Sequence, residues 1–347
     1  ELLDRPVETF SIGIKDDPSN EFDYARQVAE HFHTNHHEAV ISDEDFIRFL
    51  PQMAYLQDEP VADPVCVPIY YISKLARESG TPVIQVGEGS DEIFAGYQTY
   101  HLFDDWNRRY YEPYLQAPEF VRRAVYSLGT HVCSSEKQDA LRRAMLGDPL
   151  FLGNAIAFWD NEKAGLLHQA FLPRHTSSEY IRNLAGSLGI DDSLLKIIHV
   201  ELKNRLPELL LMRVDKMSMA NSIETRVPFL DEDVVSFALT IPSALKYQQN
   251  QPKYILRQAA RGIIPDSIID RKKWGFCGSA TNMLSTRLTD YARSRILDSP
   301  LMDERFDRSA IEGIFIALRQ QKRFNSFKIW NLLNLVLWYE RWFASTR

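Results

Sequence analysis

The sequence predicts an α/β fold, in which a parallel sheet flanked by helices merges into a mainly helical C-terminal part. Over the first hundred residues, short apolar runs alternate with segments of helical periodicity, an order typical of parallel sheets. From about residue 101 strand-like runs become scarce, and aromatic residues are spread over polar helical stretches. We therefore divide the chain into an α/β part, residues 1–102, and a mainly helical part, residues 103–347.

Individual elements follow from the spacing of apolar residues. We predict strands over residues 9–14, 37–41 and 82–86, which are short, apolar and rich in β-branched side chains. Helices are predicted over residues 21–32, after the N-cap Ser42, and over residues 67–78. In the C-terminal part, the helical pattern covers residues 194–219, 231–239, 253–261 and 324–343.

Composition excludes several classes of protein. The chain has 347 residues, of which 45% are apolar and 25% charged, so it is neither a disordered tail nor a fibrous rod. A net charge of -7, from 40 basic and 47 acidic residues, argues against nucleic acid as a partner. The most apolar run, residues 329–338, is too short and too polar to span a bilayer, so we expect no membrane partner.

Cysteine usage and the N-terminal residues bear on the cellular compartment. Cys66, Cys133 and Cys277 show no disulfide or metal spacing, and residues 1–4 include two acidic residues, with no apolar signal-peptide segment after them. We therefore expect a cytoplasmic protein. Cys66 lies in a proline-rich stretch and is expected to be a packed thiol.

The densest group of special residues is VGEGSDEIFAGY, residues 86–97, directly after a predicted strand. Gly87 and Gly89 allow the backbone to approach a ligand closely, and Ser90 suits the N-cap of a helix whose free N–H groups face an anion. Asp91, in the first turn of that helix, has two interpretations. Its carboxylate either opposes the helix dipole or is an oxygen ligand for Mg²⁺, and the residues alone leave both open.

This motif resembles the second nucleotide motif of the asparagine synthetase family, within the ATP-pyrophosphatase (PP-loop) superfamily. Three further strings are similar to family segments and occur in the same order: residues 213–231 (RVDKMSMANSIETRVPFLD), 253–257 (KYILR) and 270–276 (DRKKWGF). Residues 10–13 and 36–38 also fit. The resemblance implies an adenine nucleotide alpha hydrolase-like fold, in which residues 1–102 bind nucleotide and residues 103–347 complete the active site.

The family resemblance also implies a two-stage reaction. The side-chain carboxylate of aspartate attacks the α-phosphate of ATP, giving β-aspartyl-AMP and pyrophosphate. Ammonia then attacks this intermediate and gives asparagine and AMP. The first stage brings anions together and requires Mg²⁺ and fixed cations, whereas the second requires a base to accept a proton from the amine.

The nucleotide contacts are assigned by the same resemblance. It implies that Gly87, Gly89 and Ser90 cradle the phosphates of ATP and that Asp91 is a Mg²⁺ ligand. The backbone of Ile12 would form hydrogen bonds to adenine, and Val86 and Gly87 would close that pocket.

Two residues would carry the chemistry. Glu88 is implied to be the acid/base or orienting carboxylate for ammonia attack; the alternative is a solvated loop residue. Lys273 is implied to offset charge in the adenylation transition state. It lies beside Arg271 and Lys272, in a run that is more commonly a solvated face, so which lysine points inward stays open.

Other polar residues in the matching segments are expected to have supporting roles. Asp231 is expected to cap the next helix. The side chains of Asp215, Lys216, Glu224 and Arg226 either form a buried polar network behind the site or line it. Four histidines lack recognised ligand spacing, and we expect them at the surface and at a strand edge: His31, His33, His36 and His37.

Two family features are missing from these 347 residues. The PP-loop string SGGxDS does not occur, although it precedes the FSIG-type strand by about 30 residues in the family, and we expect a segment outside this sequence to supply it. Without that segment we expect no ATP turnover. A glutaminase domain with an N-terminal cysteine is also missing, so the chain alone would use free ammonia or an amine delivered by another domain.

Several alternatives remain beside an amidating ligase. A relative could use the same adenylation for ring closure, as β-lactam synthetases and lasso-peptide cyclases do, or act on a larger carboxylic acid. The β-lactam synthetases have Tyr where this chain has Glu88, which favours amidation. A catalytically silent scaffold and a tRNA-modifying enzyme are further alternatives, the latter disfavoured by the acidic composition. Aromatic residues of the helical part could serve a homodimer.

Overall fold

The computed structural model describes residues 5–186, 189–271, 285–320 and 324–344. Its strands are β1 (Glu8–Ile14), β2 (Asn35–Ile41), β3 (Val83–Gln85), β4 (Glu224–Arg226), β5 (Tyr247–Gln248) and β6 (Gln251–Pro252). In the first half the helices are α1 (Phe22–Phe32), α2 (Asp43–Gln57), α3 (Cys66–Glu78), α4 (Ser90–Ile93), α5 (Gln98–Trp106), α6 (Glu112–Leu115), α7 (Glu119–Val132), α8 (Ser135–Leu146), α9 (Asp160–Leu166) and α10 (Ser177–Gly186). The second half contains α11 (Ser193–Lys203), α12 (Met212–Met219), α13 (Glu232–Thr240), α14 (Ser243–Lys246), α15 (Tyr254–Ala260), α16 (Asp266–Ile269), α17 (Thr286–Leu297), α18 (Pro300–Arg305), α19 (Arg308–Arg319) and α20 (Phe324–Trp342).

The predicted elements are confirmed, with ends displaced by no more than two residues. Ser42 caps α2 as expected: its hydroxyl accepts from the Asp45 amide, and the Asp45 carboxylate accepts from the Ser42 amide in return. Asp231 likewise caps α13, with its carboxylate 3.0 Å from the Asp233 amide. The predicted helix over 194–219 is interrupted, because a π-helical segment, Leu206–Leu211, joins α11 to α12.

The predicted strands β1, β2 and β3 lie in parallel pairs, but the described residues do not form one continuous sheet. β1 pairs with β2 over its whole length, and β3 pairs with β4, from Val83 opposite Glu224 to Gln85 opposite Arg226. The β5–β6 pair is a small antiparallel hairpin. β4 was not predicted, since three residues, two of them charged, are too few for an alternating pattern.

The largest hydrophobic core joins the N-terminal and C-terminal parts of the chain. Ile12 of β1 belongs to it together with residues of α2, α3, α12 and α20. In this core the ring of Phe46 packs edge-on against Trp330, with 5.8 Å between centroids. A second core lies in the helical part, around Tyr100, Phe151 and Ile198. Among the helices that the structure describes, none is both long and apolar enough to cross a lipid bilayer.

A buried lysine fixes the short helix α4. Lys246, the last residue of α14, is fully buried, and its ammonium group donates to the carbonyl oxygens of Ile93 and Ala238, the first at 2.7 Å. It thereby links α4 to α13. Burial lowers the pKa of Lys246 to about 8, because the lost hydration outweighs the opposing attraction of Asp192.

The Lys246 environment predicts a specific pH dependence of stability. The unfolded chain releases this proton near pH 10.5 and the folded chain near pH 8, so the unfolded state binds more protons between these values. Relative to Lys246→Met, the free energy of unfolding of the wild type should rise by up to about 3 kcal/mol from pH 8 to 10.5. Below pH 8 the difference between the two proteins should be constant. Urea unfolding of both proteins from pH 7 to 10 measures it, and a flat difference throughout would contradict the prediction.

Candidate active site

The glycine turn, residues 86–90, connects the end of β3 to the start of α4. The Val86 amide still bonds to the Arg226 carbonyl at 3.0 Å, which extends the β3–β4 pairing by one residue. The chain then turns at Glu88 and Gly89 before α4 begins at Ser90. Residues of this turn therefore lie at the carboxyl end of a parallel strand, where open α/β proteins bind their ligands.

Two of the motif's glycines are required for different reasons. Gly89 has φ +89°, and a Cβ there would lie 2.2 Å from the Leu230 side chain. Gly96 has an ordinary φ, but a Cβ would lie 1.9 Å from the Asp91 carboxylate. At Gly87, by contrast, nothing lies within 4 Å of where a Cβ would be. The structure therefore requires glycine at 89 and 96, while the space at Gly87 is open.

Ser90 does not act as the predicted N-cap. The left-handed backbone of Gly89 makes that glycine the cap residue, and Ser90 becomes the first residue of α4. Its hydroxyl donates to the Gly87 carbonyl at 2.9 Å and accepts from Lys253 at 2.8 Å. The Ser90 side chain thus holds the turn closed and is linked to a cation, rather than capping the helix.

Lys253 is a site residue for which the sequence analysis assigned no role. Its ammonium group lies 3.0 Å from the Asp91 carboxylate, in addition to its bond to Ser90. Its backbone has φ +55°, an uncommon conformation for a non-glycine residue that often marks a functional position. Lys253 opens the KYILR string that is similar to a family segment, but the string alone does not reveal which carboxylate this lysine contacts.

Asp91 has the chemistry of a magnesium ligand. Its carboxylate is a hard oxygen donor, a quarter exposed, at the carboxyl end of a strand. Mg²⁺ in nucleotide sites is commonly held by one or two carboxylates, with phosphates and water completing the shell. The described residues contain no cluster of three or more histidine, cysteine or acidic side chains that could hold a metal by themselves. The donor set therefore fits a metal that arrives with phosphate rather than one held by protein alone.

Glu88 is paired with a buried arginine rather than solvated. Its carboxylate lies 3.3 Å from the Arg213 guanidinium, and about a quarter of the side chain remains exposed. Burial raises the pKa of the Glu88 carboxyl above its usual range, while Arg213 opposes this effect and Glu92 adds to it. A carboxylate with a raised pKa that stays accessible suits proton transfer near neutral pH.

A buried polar cluster supports the motif from behind. Tyr97 donates to Glu92 at 2.8 Å, and the Arg205 guanidinium lies 3.6 Å from Glu92 and 3.1 Å from Glu201. Tyr100 completes the cluster with a bond to Glu201 at 2.9 Å. These contacts fasten α4 and α5 to α11, so the backbone that carries Asp91 cannot shift without breaking buried charge pairs.

The buried network predicted from the 213–231 string has different members. Asp215, Glu224 and Arg226 are exposed, because each lies on an outward-facing side of α12 or β4. Lys216 instead donates to the Asp58 carboxylate and the Gln57 carbonyl. The buried charged residue of this string is Arg213, 9% exposed.

The predicted adenine contacts lie in a different parallel pair from the glycine turn. Ile12, on β1, lines a cleft of about 230 Å³ together with Phe22 and Arg271, and the described lining of this cleft does not include Val86 or Gly87. Val86 packs against the same large core as Ile12. Lys273, the second predicted catalytic residue, lies in residues 272–284, outside the described residues.

The histidines and Cys66 have the structural surroundings that were expected of them. His36 and His37 lie on β2, where His37 contacts Glu8 at 2.6 Å and His36 contacts Thr9 at 2.9 Å. His31 and His33 are exposed at the end of α1. Cys66 is a free, fully buried thiol, and burial raises its pKa.

These features define the class: an α/β protein with a polar glycine turn at the carboxyl end of a parallel strand. The family model described as asparagine synthase matches residues 1–341. The chain belongs to the asparagine synthase family.

Relatives with assigned names are similar over nearly the whole chain. Asparagine synthetase [glutamine-hydrolyzing] 1 of Bacillus subtilis (strain 168) is 29% identical over 340 residues, which is 96% of this chain and 52% of that protein. A putative asparagine synthetase [glutamine-hydrolyzing] of Mycobacterium tuberculosis (strain ATCC 25618 / H37Rv) is 28% identical, over 95% of this chain and 50% of its own length. The asparagine synthetase [glutamine-hydrolyzing] of Bos taurus is 24% identical, over 85% and 39%. The chain thus spans about half the length of the first two relatives and a smaller share of the third.

The packing at Gly89 gives a testable prediction. In Gly89→Ala, the new methyl group meets Leu230 and the backbone is strained, so the free energy of unfolding should fall by about 2–4 kcal/mol. Gly80→Ala is the matched control, because Gly80 has φ +80° and nothing within 4 Å. It should lose only about 1 kcal/mol from backbone strain. Urea unfolding of both variants decides; equal losses would show that Leu230 does not restrict position 89.

Proposed function

We propose that this chain is the synthetase part of an ATP-dependent amidating ligase. It adenylates the side-chain carboxylate of aspartate and transfers ammonia to it, yielding asparagine, AMP and pyrophosphate. One observation carries the proposal: in a member of the asparagine synthase family, the glycine turn after β3 holds an accessible carboxylate, Glu88, close to a lysine-bound aspartate, Asp91. The names of the relatives support the choice of substrate.

In this proposal one ATP molecule is held by its phosphates and by its adenine ring. Gly87, Gly89 and Ser90 present the backbone of the turn to the phosphates, and the open space at Gly87 is where a phosphate approaches. Ile12 and Val86 contact the adenine ring. Lys253, already close to Asp91, supplies a positive charge to the phosphates. Lys273 likewise supplies a positive charge, which offsets negative charge in the adenylation transition state.

Asp91 holds the metal in this proposal. When bound, Mg²⁺ would neutralise phosphate charge and so make the α-phosphorus easier to attack. The residues of the chain bring the anionic acceptor close to that phosphorus. An oxygen of the aspartate side chain forms the new bond to phosphorus, and the bond to pyrophosphate breaks.

Glu88 acts in the second stage. Ammonia forms a bond to the acyl carbon of β-aspartyl-AMP, and the bond between that carbon and the AMP oxygen breaks. The Glu88 carboxylate accepts the proton that the attacking nitrogen loses. Its partial exposure leaves an oxygen able to reach the amine, whereas a fully buried carboxylate could not. The amine comes from free ammonium in vitro, and from glutamine if a glutaminase unit is joined to this chain in the cell.

The proposal is tested with the complete gene product, MgATP and ammonium, with and without aspartate. We expect AMP and asparagine to form in equal amounts and only with aspartate. Glu88→Gln should lower asparagine formation by about 10²-fold or more, because it keeps the shape of the side chain but removes the base. AMP formation that is indifferent to aspartate would exclude aspartate as the acceptor, and no AMP under any condition would favour a silent scaffold.

Gly87→Ala isolates the nucleotide contact. Since the site is open, the methyl group should change the free energy of unfolding by no more than about 0.5 kcal/mol. It should nevertheless raise the KM for MgATP by about tenfold, because it occupies the space of the phosphate. Gly165→Ala, at another glycine with nothing within 4 Å, is the control and should leave this KM unchanged. An unaltered KM in Gly87→Ala would remove Gly87 from the phosphate site.

A further inference from the structure

The proline-rich stretch, residues 58–68, is held in place by the C-terminal helix α20. Trp338 donates to the Asp58 carbonyl at 2.8 Å, and Asn334 donates to the Val61 carbonyl at 3.0 Å. Gln57 reinforces the second contact with its own bond to Val61 at 3.2 Å. These bonds hold the proline-rich stretch at two of its carbonyl groups, those of Asp58 and Val61.

This stretch presents Asp63 to the arginine that holds Glu88. One oxygen of the Asp63 carboxylate accepts from the Val65 amide at 2.9 Å, which sets its orientation. The other oxygen accepts from Arg213, whose second terminal nitrogen donates to Glu88. Asp63 and Arg213 are each largely buried, with side chains 13% and 10% exposed. The guanidinium therefore bridges a structural carboxylate and a reactive one.

We propose that Arg213, anchored by Asp63, is a positioning residue that fixes the orientation and the charge of the Glu88 carboxylate. The inference rests on the proposed function, in which Glu88 accepts the proton of the amine. Arginine suits the task because its planar fork can hold two carboxylates at once, while a lysine is a point charge without that geometry.

The charges around Glu88 indicate what the loss of Arg213 does. Glu92 and Arg205 also act on Glu88, with opposite signs. Asp63 and Cys66 act on Arg213 in turn. Burial opposes the positive charge of Arg213, but Asp63 and Glu88 outweigh it and raise the pKa of the guanidinium. Without that guanidinium, the partly buried carboxylates of Asp63 and Glu88 have no cation between them. The protonated form of Glu88 then becomes more stable relative to the ionised form.

The test compares Arg213→Gln and Arg213→Lys with the wild type in the complete gene product. Asparagine formation is measured from pH 6 to 9, with total ammonium adjusted so that unprotonated ammonia stays constant. In Arg213→Gln we expect the acidic limb of the kcat profile to move to higher pH by about 1, and kcat at pH 7 to fall by about tenfold or more. Arg213→Lys should recover part of the shift, since it restores the charge but not the bridge.

A second measurement does not depend on activity. Carboxyl ¹³C NMR of protein labelled at glutamate follows the ionisation of Glu88, whose signal is identified by its loss in Glu88→Gln. The pKa of Glu88 should rise by about 1 in Arg213→Gln. Arg143→Gln is the matched control: Arg143 is as deeply buried and paired with Asp139 at 2.8 Å, but its other contacts are the carbonyls of residues 149 and 150. That variant should lose stability without moving the Glu88 titration.

The outcomes separate the inference from the function. An unchanged Glu88 titration in Arg213→Gln, or an equal change in Arg143→Gln, overturns the positioning role. If the wild type forms no asparagine, the proposed function fails, and the NMR titration still decides whether Arg213 sets the charge of Glu88. A shifted titration with an unshifted activity profile would support the effect of Arg213 on the charge of Glu88, but it would contradict the role of Glu88 as the base in the rate-limiting step.

Discussion

The site depends on one backbone constraint, the left-handed conformation of Gly89 against the side chain of Leu230. Only four residues separate the end of β3 from the start of α4, and the chain turns at Glu88 and Gly89 within this interval. Gly89 contributes a positive φ to that turn, and Leu230 leaves no room for a side chain there. As a result Glu88, Ser90 and Asp91 leave the backbone at one place, where separate elements meet them: α12 through Arg213, and the start of α15 through Lys253.

The buried cations around this turn have two kinds of surroundings, carboxylates for the arginines and backbone carbonyls for the lysine. Arg213 and Arg205 each meet two carboxylates, so their charges are compensated and the carboxylates are held in defined orientations. Lys246 donates to two backbone carbonyls, lies over the ring of Phe94 and makes no ion pair among the described residues, so its burial reduces its affinity for a proton. The compensated pairs are linked to Glu88 and Glu92 in the motif. The uncompensated lysine supports the far end of α4, where a stable anchor suffices.

Local patterns predicted most of the framework. The strands β1, β2 and β3, the helix α1 and the caps at Ser42 and Asp231 all follow from spacing within about fifteen residues, and each is confirmed. Ser90 was wrong as a cap, because a glycine in the left-handed conformation started the helix one residue earlier. β4 escaped prediction because three mostly polar residues form a strand only when β3 lies beside them.

The supporting residues of the site were beyond the reach of sequence patterns. Arg213 and Asp63 are 150 positions apart, and Lys253 and Ser90 are 163 apart. The residues around each partner in the sequence therefore do not predict the contact. For Asp215, Lys216, Glu224 and Arg226 the sequence left open a buried polar network or a place in the lining of the site. The first interpretation is wrong, because Asp215, Glu224 and Arg226 are exposed. The roles of Glu88, Asp91 and Ile12 stay predictions, as does that of Lys273.

The hydrogen bond between Trp338 and the Asp58 carbonyl has a consequence for the synthesis of the chain. Its partners are separated by 280 residues, and ribosomes add about 5–20 residues per second, so about 15–60 s pass between the appearance of one and the other. During that time the nascent protein already contains the glycine turn, but it lacks the helix that seats the segment carrying Asp63. Completion of the surroundings of Glu88 therefore waits until residue 338 has been synthesised, and a chain that terminates before this residue carries the motif without its support.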